Sequence, residues 1–179
     1  LAAQRLHEDL VKNEYRFTTG NLCTRYLYDV LTTYGYLEDA WKLITREEYP
    51  SIGYMLQNEA TTIWERFELK KSEGMNSHNH PMYGAVGYWF YAYLAGIKPI
   101  AQGFSEVNIR PYFPQKLLSV HASIETPKGE LTVRWVKRFG KTHLHVKIPF
   151  GVKANICFDD QIHTVGSGFW QFDAEDTAQ

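Results

Sequence analysis

The residues best suited to chemistry lie in one stretch, TTIWERFELKKSEGMNSHNHPMYGAVGYW, at positions 61–89. Within it, Glu65 has aromatic residues on both sides, Trp64 and Phe67. Aromatic rings place a carboxyl group against a low-dielectric wall that can adjust its acidity, and an indole face can also support a sugar ring. An ordinary salt bridge to Arg66 is the alternative, since most carboxylates in proteins are solvated. These residues alone leave both interpretations open.

A polar loop follows the Trp-Glu-Arg segment and carries four hydrogen-bonding side chains, those of Asn76, His78, Asn79 and His80. An H-x-H pair without a third nearby ligand does not define a metal site, and Asn is a poor ligand for zinc. Asn and His side chains do match the hydroxyl groups of a sugar. The loop therefore favours carbohydrate binding, and we predict no metal.

Other catalytic classes lack their motifs in this sequence. It contains no G-x-S-x-G element for a serine nucleophile and no phosphate-binding or dinucleotide fingerprint, so we predict no cofactor. Cys23 falls within a helical pattern, which does not favour a nucleophile. His121, His143 and His145 fall in strand patterns, and we expect them to be exposed strand residues outside any site.

The composition is that of an ordinary globular protein. Its 179 residues are 44% hydrophobic and 22% charged, and 15% are aromatic, which we expect mainly in the core. The formal net charge of −1 gives no electrostatic basis for binding nucleic acid, and no apolar run predicts a membrane helix. The two cysteines, Cys23 and Cys157, are predicted to be buried free thiols.

Residues 1–98 have the periodicity of helices joined by short links. A helix that ends at Gly35 is predicted to bury one face, formed by Leu22, Tyr26, Leu27, Val30 and Leu31. The run PMYGAVGYWFYAYLAGI predicts one long apolar helix from Pro81 to near Gly96. The chain opens inside a helical pattern without a capping residue, and we therefore expect it to be part of a longer protein.

Beyond GIKPIAQGF, residues 96–104, the pattern changes to the alternation of antiparallel strands, from about residue 105 to 173. The predicted inward positions are Val133, Trp135, Leu144, Val146 and Ile148, and the outward ones are Arg134, His143, His145 and Lys147. The segments RFGKT and FDDQ are predicted hairpin loops, and the acidic end DAEDTAQ is predicted to fray. These patterns predict an α part followed by an antiparallel β-sandwich.

Three segments carry a resemblance to a known family: TTIWERFE, MNSHNH followed by Gly84, and the closing VGSGFWQF. With FTTGNLCTRYLYDVLTTYG and GFSEVNIRPYFP, they make nearly the whole chain resemble the C-terminal part of bacterial α-L-rhamnosidases, glycoside hydrolase family 78. The resemblance implies the C-terminal part of an (α/α)6 six-hairpin toroid in residues 1–98 and an antiparallel β-sandwich in residues 99–179. It also implies hydrolysis of terminal α-L-rhamnose with inversion.

The same resemblance implies roles for individual residues. Glu65 matches the general base that activates water, and His80 matches a residue that lines the sugar pocket. Trp64 is implied as a pocket wall and Asn79 as a further substrate contact. The general acid of the family matches no residue of this chain and is implied to lie upstream of Leu1.

The expected partners are a rhamnose-containing glycoside or polysaccharide, and either the remainder of the same polypeptide or further copies of the chain. A protein partner is expected because the predicted helices are fewer than a toroid uses. The apolar helix faces that would pack on the missing helices would otherwise be exposed. Nucleic acid and membrane are not expected partners, and the periplasm, the outside of the cell and the cytoplasm all stay open as compartments. Two alternatives also stay open: a non-catalytic carbohydrate-binding or scaffold module, and an (α/α)6 glycosidase for another sugar.

Overall fold

The computed structural model describes residues 1–70 and 77–175. The chain forms two compact units, Leu1–Trp89 and Phe90–Gln179. Helices make up the first unit and β-strands most of the second, which confirms the prediction of an α part followed by a β part. In the described ranges, no helix has both the length and the apolar character needed to cross a membrane.

The first unit is built from short helices: α1 (Ala2–Lys12), α2 (Asn21–Thr33), α3 (Leu37–Thr45), α4 (Ile52–Gln57), a 3-10 turn (Tyr83–Ala85) and α5 (Val86–Trp89). The Ser51 hydroxyl caps α4 by accepting the Tyr54 N–H at 2.9 Å. A Schellman motif ends α2, in which Gly35 has a φ of +87° and the Tyr36 N–H donates to the Leu31 carbonyl at 2.7 Å. The predicted helix end at Gly35 is therefore confirmed.

The buried face of α2 differs from the predicted one. Leu22 and Tyr26 are 67% and 62% exposed, and the buried residues are Thr24, Leu27, Tyr28, Leu31 and Thr32. The two threonines can enter the core because their hydroxyls donate to carbonyls one turn earlier, Thr24 to Gly20 at 3.0 Å and Thr32 to Tyr28 at 2.9 Å. A hydroxyl that is satisfied locally avoids most of the cost of burial. The core face is consequently rotated away from Leu22 and Tyr26.

The long helix predicted from Pro81 begins instead at Tyr83 and is not a uniform α-helix. It runs from the 3-10 turn into α5 and then into a π-helical turn, Phe90–Leu94, that opens the second unit. Gly84 and Gly87 lie in its first turns, where glycine weakens regular α-helical structure by up to about 1 kcal/mol per residue. The apolar pattern therefore predicted a helix correctly but not its start or its regularity.

The second unit is a sandwich of two four-stranded sheets, in the orders β1-β2-β6-β7 and β3-β4-β5-β8. The strands are β1 (Ile97–Pro99), β2 (Glu106–Ile109), β3 (Ser119–Thr126), β4 (Gly129–Arg138), β5 (Lys141–Ile148), β6 (Lys153–Phe158), β7 (Gln161–Val165) and β8 (Gly168–Glu175). Neighbouring strands are antiparallel except for β2 and β6, which run parallel. Parallel neighbours require a long connection, and three strands of the other sheet supply it here.

The core of the sandwich lies between the two sheets. The five predicted inward positions are confirmed, since each is at most 3% exposed, and they pack against Val107, Ile109, Ala154, Ile156 and Phe158 of the other sheet. Trp135 is completely buried; its indole N–H donates to the Leu94 carbonyl at 2.7 Å, and its ring meets Phe113 edge-on. Of the predicted outward positions, Arg134 and His145 are exposed, and the other two are partly exposed.

Both predicted hairpin loops are confirmed as two-residue turns. Phe139 and Gly140 have φ values of +54° and +72°, and Asp159 and Asp160 have values of +51° and +56°. Two successive residues with positive φ are the signature of the type I′ turn, whose twist matches that of the flanking strands.

Two predictions about peripheral positions are wrong. Residues Asp173–Glu175 do not fray but complete β8, where they pair with β5; residues 176–179 lie outside the described part. Neither thiol is buried, since Cys23 is exposed on α2 and Cys157 is partly exposed on β6, although both are free as predicted. Cys23 is exposed because the core face of α2 is the rotated one that contains Thr24.

Gly96 ends the helical segment, as predicted, at a position that only glycine fits. Its φ is +75°, and an added Cβ would overlap the backbone carbonyl group of Arg110. Because backbone atoms cannot move aside as a flexible side chain can, we expect Gly96→Ala to lower the free energy of unfolding by more than about 2 kcal/mol. Denaturation by urea, followed by circular dichroism, measures the loss.

Gly140→Ala is the matched control for this substitution. Gly140 has nearly the same φ, +72°, but no atom within 4 Å of the added Cβ. Its replacement should therefore cost only the backbone strain, about 1–2 kcal/mol. Equal losses in the two variants would contradict the close contact as the reason for glycine at position 96.

Candidate active site

The candidate site lies where the Trp-Glu-Arg segment runs beside the polar loop. The His80 N–H donates to the Ile63 carbonyl and the Glu65 N–H donates to the Ser77 carbonyl, both at 2.8 Å. The Thr62 hydroxyl also donates to the His78 carbonyl. These bonds hold the two segments side by side, so the structure brings together Trp64, Glu65, Asn79 and His80, which the sequence analysis had selected.

Glu65 is anchored by the loop at its side chain as well as at its backbone. The Ser77 N–H donates to Glu65 Oε2 at 3.0 Å, and the residue is partly exposed. Among the described residues, no ion pair joins Glu65 to Arg66, so the salt bridge considered as the ordinary alternative is not formed. A carboxylate oriented by a backbone N–H and open to solvent on part of its surface is suited to accepting a proton.

Trp64 is packed rather than presented to solvent. It is only 3% exposed, and its indole ring stacks on His78 with ring centroids 4.7 Å apart and planes 20° apart. One face of Trp64 is therefore covered by a residue of the loop, and His78 is the partly exposed ring of the pair. In the sequence His78 is distinguished only as a polar loop residue, and its spacing from His80 and Trp64 does not predict this stacking.

The other two loop residues differ in exposure. His80 is partly exposed, and its Nδ1 accepts the Met82 N–H at 3.4 Å. With Nδ1 facing the Met82 N–H, Nε2 is the ring nitrogen available to hydrogen-bond a ligand oxygen. Asn79 is exposed, and its backbone is held by the Ser77 hydroxyl, which accepts from the Asn79 N–H at 3.2 Å and lies 3.1 Å from the Asn79 carbonyl oxygen, to which it donates.

A cluster of buried aromatic rings packs around Phe67, the residue that follows the Trp-Glu-Arg segment. Phe67 packs on Tyr83 at 4.4 Å and on Phe17 at 4.9 Å between ring centroids, and each of the three is at most 7% exposed. Tyr28 meets Phe17 and Trp89 at 6.4 Å and 5.8 Å, which extends the cluster to α2 and α5. Phe17 and Tyr28 were not among the residues predicted for the site, and the aromatic content of 15% was the one sequence signal that could have pointed to such a cluster.

Burial also determines the protonation of the phenols in this cluster. Burial raises the pKa of Tyr83. The nearby Glu68 carboxylate raises this pKa further, and the Arg66 guanidinium lowers it. Burial likewise raises the pKa of Tyr28, with a further contribution from Tyr83. Both phenols therefore stay neutral over the physiological range.

Met75 and Asn76, which begin the MNSHNH motif, lie in residues 71–76, outside the described part. Within the described part, no group of three or more His, Cys, Asp or Glu side chains is arranged to hold a metal ion.

Comparison with known proteins identifies the family. Residues 1–94 match the family model of the bacterial alpha-L-rhamnosidase 6 hairpin glycosidase domain, and residues 96–168 match that of the bacterial alpha-L-rhamnosidase C-terminal domain. The chain belongs to the bacterial α-L-rhamnosidase family. The family and the fold class predicted from the sequence, a helical six-hairpin part followed by a β-sandwich, are thereby confirmed.

Individual α-L-rhamnosidases are similar over nearly the whole chain. One from Streptomyces avermitilis is 35% identical over 161 residues, covering 87% of this chain and 16% of the relative. The α-L-rhamnosidase structure from Dictyoglumus thermophilum has a TM-score of 0.89 at 33% identity, covering 98% of this chain and 23% of that one. The Streptomyces avermitilis α-L-rhamnosidase complexed with L-rhamnose has a TM-score of 0.89 at 31% identity, covering 97% and 19%. The chain thus spans less than a quarter of each of these α-L-rhamnosidases.

Proposed function

We propose that this chain is the C-terminal part of a glycoside hydrolase that releases terminal α-L-rhamnose with inversion, and that Glu65 is its general base. The proposal is carried by the anchored Glu65 carboxylate, held by the Ser77 N–H in a chain whose two parts both match α-L-rhamnosidases. The solved relative named as a complex with L-rhamnose supports the choice of sugar.

In the proposed reaction, Glu65 takes a proton from a water molecule while the oxygen of that water forms a bond to the anomeric carbon. The bond between this carbon and the leaving oxygen breaks, and a second carboxyl group protonates the leaving oxygen. In inverting enzymes the two carboxyl groups lie about 6.5–9.5 Å apart, which leaves room for the water. We assign this general acid to the remainder of the parent polypeptide, upstream of Leu1.

The neighbours of Glu65 take supporting roles in this proposal. His80, through Nε2, and the exposed Asn79 bind hydroxyl groups of the sugar. Trp64, backed by His78, forms a rigid wall beside the base. The proposed partners are a rhamnose-containing glycoside and the remainder of the polypeptide, or further copies of the chain. We keep the proposed division at residues 98 and 99 between the six-hairpin part and the sandwich.

The stereochemistry of the product tests this proposal. We expect the full-length parent polypeptide to hydrolyse an aryl α-L-rhamnoside and to release β-L-rhamnose first, as observed by proton NMR before mutarotation. The isolated 179-residue chain, which supplies one carboxylate of the pair, should show no measurable turnover of the same substrate. Initial release of α-L-rhamnose, or robust turnover by the isolated chain, would contradict the proposal.

A further inference from the structure

The outer face of the β3-β4-β5-β8 sheet contains a groove of about 380 Å³ that the proposed hydrolase function does not use. It lies entirely within the second unit. Its lining residues are His121, Thr132, Arg134, His145, Val146, Lys147, Phe169, Trp170 and Gln171.

Strand register arranges these side chains in ordered rows. His121, Arg134, His145 and Gln171 are direct cross-strand neighbours, one from each of the four strands. Adjacent strands are about 4.8 Å apart, so this row spans roughly 14 Å across the sheet. A second row beside it contains Thr132, Lys147 and Phe169. Two of the three strand histidines, His121 and His145, thus belong to one row with Arg134 between them, whereas His143 lies outside the groove.

The groove is basic although the chain as a whole has a net charge of −1. No acidic side chain is among its lining residues. Arg134 is exposed, and no ion pair or hydrogen bond engages its guanidinium within residues 1–70 and 77–175, whereas Lys147 Nζ donates to Glu130 at 2.7 Å. An unengaged guanidinium between two imidazoles is complementary to a carboxylate or sulfate, which Arg can bind with two parallel hydrogen bonds.

An exposed aromatic ring completes the groove. Phe169 is 84% exposed, and its register partner on β5 is Lys147. Phe169 therefore lies on the outer face, beside the row that contains Arg134. A free aromatic face next to hydrogen-bonding groups suits a sugar ring, which presents C–H groups on its faces and hydroxyl groups at its edges. The combination of anion-binding and apolar elements indicates a charged saccharide rather than a free inorganic anion.

We propose that the outer face of the β3-β4-β5-β8 sheet binds an anionic saccharide. Arg134, flanked by His121 and His145, receives the carboxylate or sulfate of the ligand, and Phe169 packs against a sugar ring. This site is separate from the one around Glu65 and does not depend on the proposed hydrolase function. It would hold the protein on a charged polysaccharide whether or not that polymer is the one cleaved.

Isothermal titration calorimetry of the intact chain tests this proposal with three oligosaccharides of equal length: an oligouronate, a sulfated oligosaccharide and a neutral one. We expect binding of at least one charged ligand and none of the neutral one, and the two charged ligands distinguish carboxylate from sulfate. Arg134→Gln should weaken binding at least about tenfold, because a charge-assisted contact is lost. Phe169→Ala should weaken it by about threefold or more through loss of ring packing.

Arg138→Gln is the matched control, since Arg138 lies on the same strand and face as Arg134 but outside the groove. This variant should bind as the unsubstituted chain does. The proposal is overturned if none of the ligands binds, if the neutral ligand binds as tightly as the charged ones, or if Arg138→Gln weakens binding as much as Arg134→Gln. Equally tight binding of a single-stranded oligonucleotide would also overturn it, because the site would then recognise charge without the sugar geometry.

Discussion

Replacing Glu65 by Gln in the full-length parent polypeptide should lower kcat by about 10²–10⁴-fold while KM changes little. This range is the usual contribution of a general base. The glutamine side chain retains an oxygen that can accept the Ser77 N–H bond seen at 3.0 Å, so the geometry of the segment should persist. In the proposed mechanism, the amide cannot take the proton of the attacking water. Steady-state kinetics with an aryl α-L-rhamnoside measures the effect, and circular dichroism checks the fold.

Glu59→Gln provides the matched control for this prediction. Glu59 is an exposed carboxylate six positions before Glu65 and has no part in the proposed site. Its replacement makes the same chemical change and should leave kcat within about twofold, as for surface substitutions in general. Unchanged turnover in Glu65→Gln would remove Glu65 from the role of base. A raised KM with unchanged kcat would indicate that it only binds substrate.

Replacing Trp135 by Ala should lower the free energy of unfolding of the sandwich by about 3–5 kcal/mol. Trp135 is completely buried between the sheets, and its removal leaves a cavity beside Phe113 and the Leu94 carbonyl without its indole donor. The conservative Trp135→Phe keeps most of the ring volume but not the N–H, so we expect a smaller loss of about 1–3 kcal/mol. Urea denaturation monitored by near-UV circular dichroism measures both.

Phe150→Ala controls for the removal of an aromatic ring from the same unit. Phe150 is 87% exposed, and its replacement should change the free energy of unfolding by no more than about 0.5 kcal/mol. A loss in Trp135→Ala no greater than in Phe150→Ala would show that the core tolerates the cavity. A Trp135→Phe variant as stable as the unsubstituted chain would show that the bond to Leu94 contributes nothing net.

Together the two predictions separate chemistry from scaffold. Glu65 is partly exposed, so its substitution should lower kcat and leave the free energy of unfolding nearly unchanged. Trp135 lies in the core of the second unit, so its substitution should lower the free energy of unfolding of the sandwich. The difference in stability follows from burial, because a partly exposed carboxylate has little packing to lose and a buried indole has a great deal.

The sequence by itself determined the strands, two helix ends and the candidate site residues. Alternating apolar residues specified the strands and their inward side chains, Trp135 among them, because side chains in a strand point to opposite faces in turn. The helix ends at Gly35 and Gly96 were also predictable, since positive φ is open to glycine at little cost. The Trp-Glu-Arg segment and the Asn-His loop also indicated four candidate site residues, and the fold places these two segments side by side.

Only the tertiary structure decided which surfaces meet. The core face of α2 contains Thr24 and Thr32 because local hydroxyl bonds and the Trp89 N–H, which donates to Thr32 Oγ1 at 2.8 Å, make their burial inexpensive. The parallel pairing of β2 with β6 joins segments more than 40 residues apart in the chain, and the stacking of His78 on Trp64 joins two neighbouring segments whose contact no local pattern predicts. Sequence periodicity reports which way a side chain points from its own element, but not which element it meets, since that depends on how the elements pack together.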